Sequence, residues 1–362
     1  MKPLSGLRII EFDGLGPVTF AGMVLADLGA EVLRLTRSAA AGTAAFSEVG
    51  GEVLHRGRPA VAVNLKDPTD HARVIDLIGA ADAVIEGFRP GVMERLGLGP
   101  AACATANPRL VYGRVTGWGQ TGPMAQQVGH DLNYIALSGA LHATGEPDRP
   151  PRPPLNLVGD YGGGAMLVVV GVLAALLEAK ATGRGQVVDA AMTDGSALLM
   201  SLFYALQTRG LWSDTRGANL LDGGAPFYRC YTCADGRFVA VGALEPQFYA
   251  ALIAGLGLTA DEAPQYDMAG WPALHARFEA LFAARDRDDW AARFAGTDAC
   301  VTPVLSLAEA PSHPHNQARA TFGGSPVQPG PAPRFDASSP APVARPADLS
   351  LDAALTAWTG VA

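Results

Sequence analysis

Cysteine is scarce in this sequence, basic charge is in deficit, and no apolar run matches the width of a bilayer. Four cysteines in 362 residues, with no secretory segment ahead of them, fit a reducing compartment, so disulfides are not expected. Lys and Arg number 27 against 35 Asp and Glu, a formal net charge of −8, which argues against a nucleic-acid surface. Any anion is then held by local basic residues and backbone amides, not by a global field. The longest apolar run, Ala165 to Leu177, is shorter than the ~20 residues that span a membrane; it reads as a buried helix, and no membrane span is expected. The chain enters on a first strand at Leu7 to Phe12, so no targeting peptide is expected, and Gly360-Val361-Ala362 does not read as a peroxisomal tripeptide. A cytoplasmic protein is expected.

Several chemistries lack their residues. There is no Gly-x-Ser-x-Gly elbow for a serine hydrolase. Cys230-Tyr231-Thr232-Cys233 has no second cysteine pair, and on a strand its two thiols point to opposite faces, so no metal is expected. His313-Pro314-His315 lies in a Pro-broken connection and reads as surface. Gly14-Leu15-Gly16 invites a dinucleotide reading, but Thr19 stands where the third small residue belongs. The second strand also carries Arg34 and Arg37 in place of an acidic ribose ligand.

What remains is a globular chain with many tight turns: 49% hydrophobic, 17% charged, with 43 Gly and 27 Pro. Short β-branched runs at Arg8 to Phe12, Val32 to Leu35, Val61 to Leu65, Ala83 to Glu86 and Leu110 to Val115 alternate with helical stretches. That pattern predicts an α/β domain, a parallel sheet wrapped by helices, over residues 1–190. Residues 191–222 read as a linker, and a hairpin turning over Asp235-Gly236 followed by amphipathic helices predicts a smaller α+β domain over 223–322. The Pro-rich tail from Gly323 predicts an extended strap, 323–362, returning to the large domain.

Between Gly117 and Asp160 the chain is loop-rich, which in a compact domain points to function. Two polar islands each open an apolar helix: Gly129-His130-Asp131 and Gly159-Asp160-Tyr161-Gly162-Gly163-Gly164. At a helix N-terminus the dipole and free N–H groups favour an ionised Asp160 and a neutral His130, two candidate proton-transfer groups. Taken singly, an Asp there is an N-cap and a His beside Asp a local hydrogen bond. Three consecutive glycines in a helical start cost about 1 kcal/mol each relative to Ala, and close approach of a ligand or another backbone accounts for them. Arg34, Arg37, His55-Arg56-Gly57-Arg58, Lys66 and Arg89 to Arg95 gather at the strand ends of the first domain. Strand ends form the ligand crevice of a doubly wound sheet, so a phosphorylated ligand is expected there.

These islands, with Gly117-Trp118-Gly119-Gln120-Thr121-Gly122-Pro123, Pro154-Leu155-Asn156-Leu157, Gly223-Gly224-Ala225-Pro226, Glu245-Pro246-Gln247-Phe248-Tyr249 and Asp298-Ala299-Cys300-Val301-Thr302-Pro303-Val304, resemble the α-methylacyl-CoA racemases, from about Leu4 to Phe322. Those enzymes belong with the family III CoA-transferases. The resemblance implies a Rossmann-like large domain, a smaller second domain and an interlocked homodimer. It implies His130 and Asp160 as acid/base pair and Glu245 as a carboxylate orienting His130 across the dimer interface. It places CoA at Arg37, Val63, Asn64, Leu65, Lys66, Arg89, Arg95, Gly129, Asp131, Leu132, Asn133 and Tyr134. Two sites depart from the family pattern: Thr36 and Ser38 flank Arg37 in place of Asp and Pro, and Asn64 replaces an Asp.

The implied reaction is interconversion of (2R)- and (2S)-2-methylacyl-CoA thioesters through an enolate, with no cofactor beyond the CoA of the substrate. CoA transfer, with Asp160 attacking the thioester, and non-catalytic acyl-CoA binding are the alternatives. The Gly-His-Asp and Glu-Pro-Gln motifs favour the racemase.

Overall fold

The computed structural model describes residues 2–37, 50–336 and 341–360. Ser38 and the terminal Val361-Ala362 lie outside the described residues. The chain forms two compact units: Met1–Ala140, Pro154–Ser201 and His313–Ala362 in one, Leu141–Pro153 and Leu202–Ser312 in the other.

The first unit is built on six parallel strands: β1 (Arg8–Phe12), β2 (Glu31–Arg37), β3 (Ala60–Val63), β4 (Ala83–Glu86), β5 (Val111–Thr116) and β6 (Val187–Ala191), in the order β3-β2-β1-β4-β5-β6. Both faces are covered, which is why the strands read as near-continuous apolar runs. Neighbouring residues alternate between two cores. Ile9, Val32 and Ile85 pack with helix α1 (Pro17–Asp27) on one side. Ile10, Leu33 and Val84 pack with α2 (Pro68–Gly79) on the other. The strand order reverses between β1 and β4, and ligands of such sheets bind outside the carboxyl ends of the strands at that point.

Further along, α3 (Asp131–Leu137) is followed by a π-helix, Leu157–Ala165, that continues into α4 (Met166–Thr182). The whole segment Leu157–Thr182 is long and apolar enough to cross a membrane by length and composition alone. The helical segment is longer than the apolar run Ala165 to Leu177 read from the sequence. Val168, Val169, Val172, Ala175 and Ala179 are buried, those of the core packing with α1 and the sheet, while Val170 and Leu177 are 57% and 72% exposed. After β6, helix α5 (Met192–Leu199) packs on the π-helix.

The second unit pairs β7 (Tyr228–Thr232) with β8 (Phe238–Gly242) and β8 with β9 (Val301–Pro303), all antiparallel. Helices α6 (Pro246–Leu256), α7 (Trp271–Phe282) and α8 (Arg287–Phe294) close a core around Tyr231, Val239, Leu252, Phe278, Phe282 and Trp290. In the first unit, the tail bonds along β3, with Leu349 N–H donating to the Ala60 carbonyl at 2.9 Å. It ends in α9 (Leu351–Thr359), whose Leu351, Ala354 and Trp358 complete the core beside α2.

Three of the arginines expected to face a phosphate are interior struts instead. Arg34 pairs with Asp13 at 3.1 Å and Arg56 with Asp27 at 2.6 Å, while Arg58 pairs with Glu11, both wholly buried. Burial pushes the Glu11 carboxyl up against the opposing pull of Arg58. The pair occupies the space beside Gly22 on α1, where a Cβ would overlap both charged groups. Removing one partner of a buried pair leaves an uncompensated charge, so Glu11→Gln is expected to cost about 3–5 kcal/mol. Gly22→Ala is expected to lower stability despite the roughly 1 kcal/mol better helix propensity of Ala. Denaturant titration checks both; unchanged midpoints would contradict this account of the pair.

Candidate active site

The carboxyl edge of the sheet gathers most of the sequence candidates. Arg37 and Val63 close β2 and β3 and are register neighbours. Asn64, Leu65 and Lys66 form the turn after β3, with Asn64 N–H donating to Asp70 Oδ2 at 2.8 Å and Lys66 N–H to Asn64 Oδ1 at 3.2 Å. Asp67 then caps α2, accepting from the Thr69 amide at 2.8 Å, with Pro68 at the first helical position. Arg37 and Lys66 are exposed, as are Arg89 after β4 and Arg95 on the short helix Val92–Arg95. These four remain as cations able to meet phosphate once the buried arginines are set aside.

His130 is the N-cap residue of α3, exposed, with its own N–H donating to Asn133 Oδ1 at 3.0 Å. The loop that delivers it is braced by Tyr134, whose hydroxyl donates to the Gly129 carbonyl and whose ring meets Trp118 edge-on at 4.8 Å. A Cβ at Gly117 would enter the Tyr134 ring, and the Gly117 carbonyl accepts from the Thr193 hydroxyl at 2.8 Å. The Gly-Trp-Gly motif is thus the socket for Tyr134. Burial pushes the Tyr134 hydroxyl up to about 12, so it acts as a donor.

Asp160 lies in the first turn of the π-helix, where a helix N-terminus was expected. Its amide is not free: it donates to Asp131 Oδ1 at 2.7 Å. Its half-buried carboxylate accepts from Asn156 Nδ2 at 3.2 Å. The helix start is not the dominant influence on the Asp160 carboxyl. Burial raises its pKa above the ordinary carboxylate value and the Asp131 charge adds to this, while the Asn156 hydrogen bond and His130 oppose it. Gly16, at φ 67°, caps α1 so closely that a Cβ would stand 3.2 Å from Asp160 Oδ2. The Gly14–Gly16 turn therefore frames a carboxylate, and Thr19, which spoils the dinucleotide pattern, donates its hydroxyl to the Gly14 carbonyl.

Of the three glycines after Asp160, Gly163 meets the backbone of α5, while Gly162 and Gly164 meet its side chains and carbonyls of their own helix. A Cβ at Gly163 would stand 2.8 Å from Ser196 N, one at Gly164 2.7 Å from Met192 Cγ, and one at Gly195 would overlap the Gly163 carbonyl. The π-helix and α5 cross here with nothing between their main chains, which fixes the depth at which Asp160 sits. Tyr161 stacks on Phe20 of α1 at 4.4 Å. Gly195→Ala is expected to separate the two helices, lowering both the unfolding midpoint and, by displacing Asp160, turnover by about 100-fold. Steady-state kinetics on folded protein checks this; wild-type turnover would contradict the packing account.

Glu245 belongs to the second unit, as the exposed N-cap residue of α6. That unit also holds a cavity of about 800 Å³ lined by Gly223, Tyr228, Arg229, His275 and Cys300 among others; neither His130 nor Asp160 lines it. Leu132 and Asn133 are exposed on the first turn of α3, whereas the Asp131 side chain is buried. Sequence reasoning did not find the contacts of Asp131, Asn156 and Gly16 with Asp160. The signal for Asp131 and Asn156 was present, since both stand in the two motif segments beside the pair.

The sequence matches the model of CoA-transferase family III over residues 4–343. It is 45% identical over 346 residues to the alpha-methylacyl-CoA racemase of Mus musculus, covering 94% of this chain and 89% of that one. It is 45% identical over 334 residues to the alpha-methylacyl-CoA racemase of Homo sapiens, covering 91% and 86%. A CAIB/BAIF family protein from Brucella suis, 24% identical, shares the fold at a TM-score of 0.79 over 96% of this chain and 97% of that one. Fold, motifs and sequence agree: the chain belongs to CoA-transferase family III.

Proposed function

We propose that the protein is a racemase of 2-methylacyl-CoA thioesters, working by 1,1-proton transfer with His130 and Asp160 as the two acid/base groups. The observation that carries this reading is the junction of the two motif islands, an Asp131–Asp160 hydrogen bond of 2.7 Å that brings both groups to one site. Inverting a carbon requires a base on one face and an acid on the other, exchanging roles with the substrate enantiomer. Burial raises the Asp160 carboxyl above the ordinary carboxylate value, which helps it to hold a proton as well as to take one.

Removing the α-proton places charge on the thioester oxygen. The amides of Asp131 and Leu132 open α3 without intrahelical acceptors, and they are the donors for that enolate. The amide of Asp160 is committed to Asp131 and is not among them. Arg37, Lys66, Arg89 and Arg95 supply the cations for CoA phosphates, with Val63 to Leu65 and Gly129 to Tyr134 as the surface for the rest of the cofactor-like moiety. No group beyond substrate and protein is needed for this chemistry. The protein acts as a homodimer in which Glu245 of the partner subunit orients His130; exposed Val170, Leu177, Leu198 and Leu199 on α4 and α5 supply apolar surface for the assembly.

Incubation of 2-methylacyl-CoA thioesters of several chain types in deuterated water, followed by NMR, is expected to show loss of the α-proton and loss of optical purity together. His130→Ala is expected to lower racemisation by at least about 100-fold, the contribution of one positioned acid/base group. Absence of exchange with every thioester would contradict the reading. A His130→Ala variant that retains CoA transfer to free acids would assign the site to transfer, with Asp160 as nucleophile.

A further inference from the structure

Asp131 takes no proton in the scheme above, yet it is the side chain through which the two islands meet. It is the first residue of α3, a position whose side chain ordinarily reaches solvent, but here it is 6% exposed. Its Oδ1 accepts the Asp160 amide at 2.7 Å, and its Oδ2 is buried with no hydrogen-bond partner among the described residues. The neighbouring backbone is shaped to admit it, since a Cβ at Gly159 would stand 2.5 Å from Oδ1.

Two consequences follow from that placement. The first is mechanical: the hydrogen bond joins α3, which carries His130, to the backbone of the reacting carboxylate, so the separation of the two groups is set by one strut. The second is electrostatic. A carboxylate with one oxygen unsatisfied in a water-poor interior keeps an uncompensated field, and a neighbouring carboxyl feels it. The groups facing Asp160 are few. From α3 come His130 and Asp131, with Tyr134 one turn on, and Asn156 precedes its own helix. The first turn of α1 carries no acidic residue, and Asp194 on α5 is exposed.

We propose that Asp131 is the positioning residue of the acid/base pair, holding Asp160 at its distance from His130 and setting a buried carboxylate beside it. This rests on the racemase reading, and wild-type α-proton exchange is measured first, so that failure of that reading is seen separately. Asp131→Ala and Asp131→Asn are then compared with wild type in kcat, KM and pH profile for both enantiomers. Asp131→Ala removes the strut, and kcat is expected to fall about 100-fold with KM within about threefold. Asp131→Asn keeps an oxygen for the Asp160 amide and loses the charge. It is expected to recover most of kcat, while the acid limb of kcat/KM, in the direction where Asp160 is the base, moves to lower pH by about half a unit or more.

An acid limb in Asp131→Asn superimposed on that of wild type overturns the proposal, as does an Asp131→Ala variant with wild-type kcat. If Asp131→Ala does not fold, the pH limb of Asp131→Asn decides the matter alone.

Discussion

One hydrogen bond carries the geometry of the site: the amide of Asp160 to the carboxylate of Asp131. The two motif islands are separated by a loop-rich stretch, and the elements they open, α3 and the π-helix, are different in kind. Without a tie between them, the distance from imidazole to carboxyl would be as loose as the loops. The tie has requirements that spread outward. Gly159 must lack a Cβ for Asp131 to enter, and Gly163 and Gly195 must lack one for the π-helix to sit deep against α5. On the other side, Gly16 must lack one for α1 to approach the Asp160 carboxylate. The glycine-rich sequence around Asp160 is thus a record of main-chain packing, and the wide turn of a π-helix, a form frequent at functional sites, delivers the carboxyl into the gap.

Beneath the site the sheet supplies rigidity through charge as well as apolar packing. Arg114 on β5 lies between Glu86 at 2.8 Å and Glu94 at 2.7 Å, and Arg58 reaches Glu11 on β1. Glu11, Glu86 and Arg114 of these pairs sit on β1, β4 and β5, the strands around the point where strand order reverses. They hold the ends from which the Gly14–Gly16 turn and the Gly117 loop depart. Buried arginines with carboxylate partners are costly to isolate and so define where the strand ends lie.

Much of this was legible in the sequence. Five of the six strands announced themselves because a parallel sheet buried on both faces needs unbroken β-branched runs. The antiparallel hairpin over Asp235-Gly236 was legible from its turn. His130 and Asp160 stood out through their motifs. What stayed hidden depends on tertiary contact. Nothing in the order of residues distinguishes Arg34, Arg56 and Arg58, which face carboxylates inside, from Arg37 and Lys66, which face solvent at the strand ends. The same holds for Asp160: its place in a helix start suggests an ionised group, but burial outweighs the helix terminus and raises it. Three glycines permitted a ligand or a backbone as neighbour, and only the fold shows α5 there. Helix α9 was missed because the Pro-rich segment before it masked the short amphipathic run Leu351, Ala354 and Trp358.

The central claim is that two different groups, tied together by Asp131, serve opposite faces of one carbon. It is tested most directly by following α-proton exchange without inversion in His130→Ala and Asp160→Asn, each given the two pure enantiomers of one 2-methylacyl-CoA in deuterated water. The account predicts that each variant exchanges the α-proton of one enantiomer only, that the two variants select opposite enantiomers, and that neither racemises. Exchange of the same enantiomer by both variants, or racemisation by either at the wild-type rate, would contradict it.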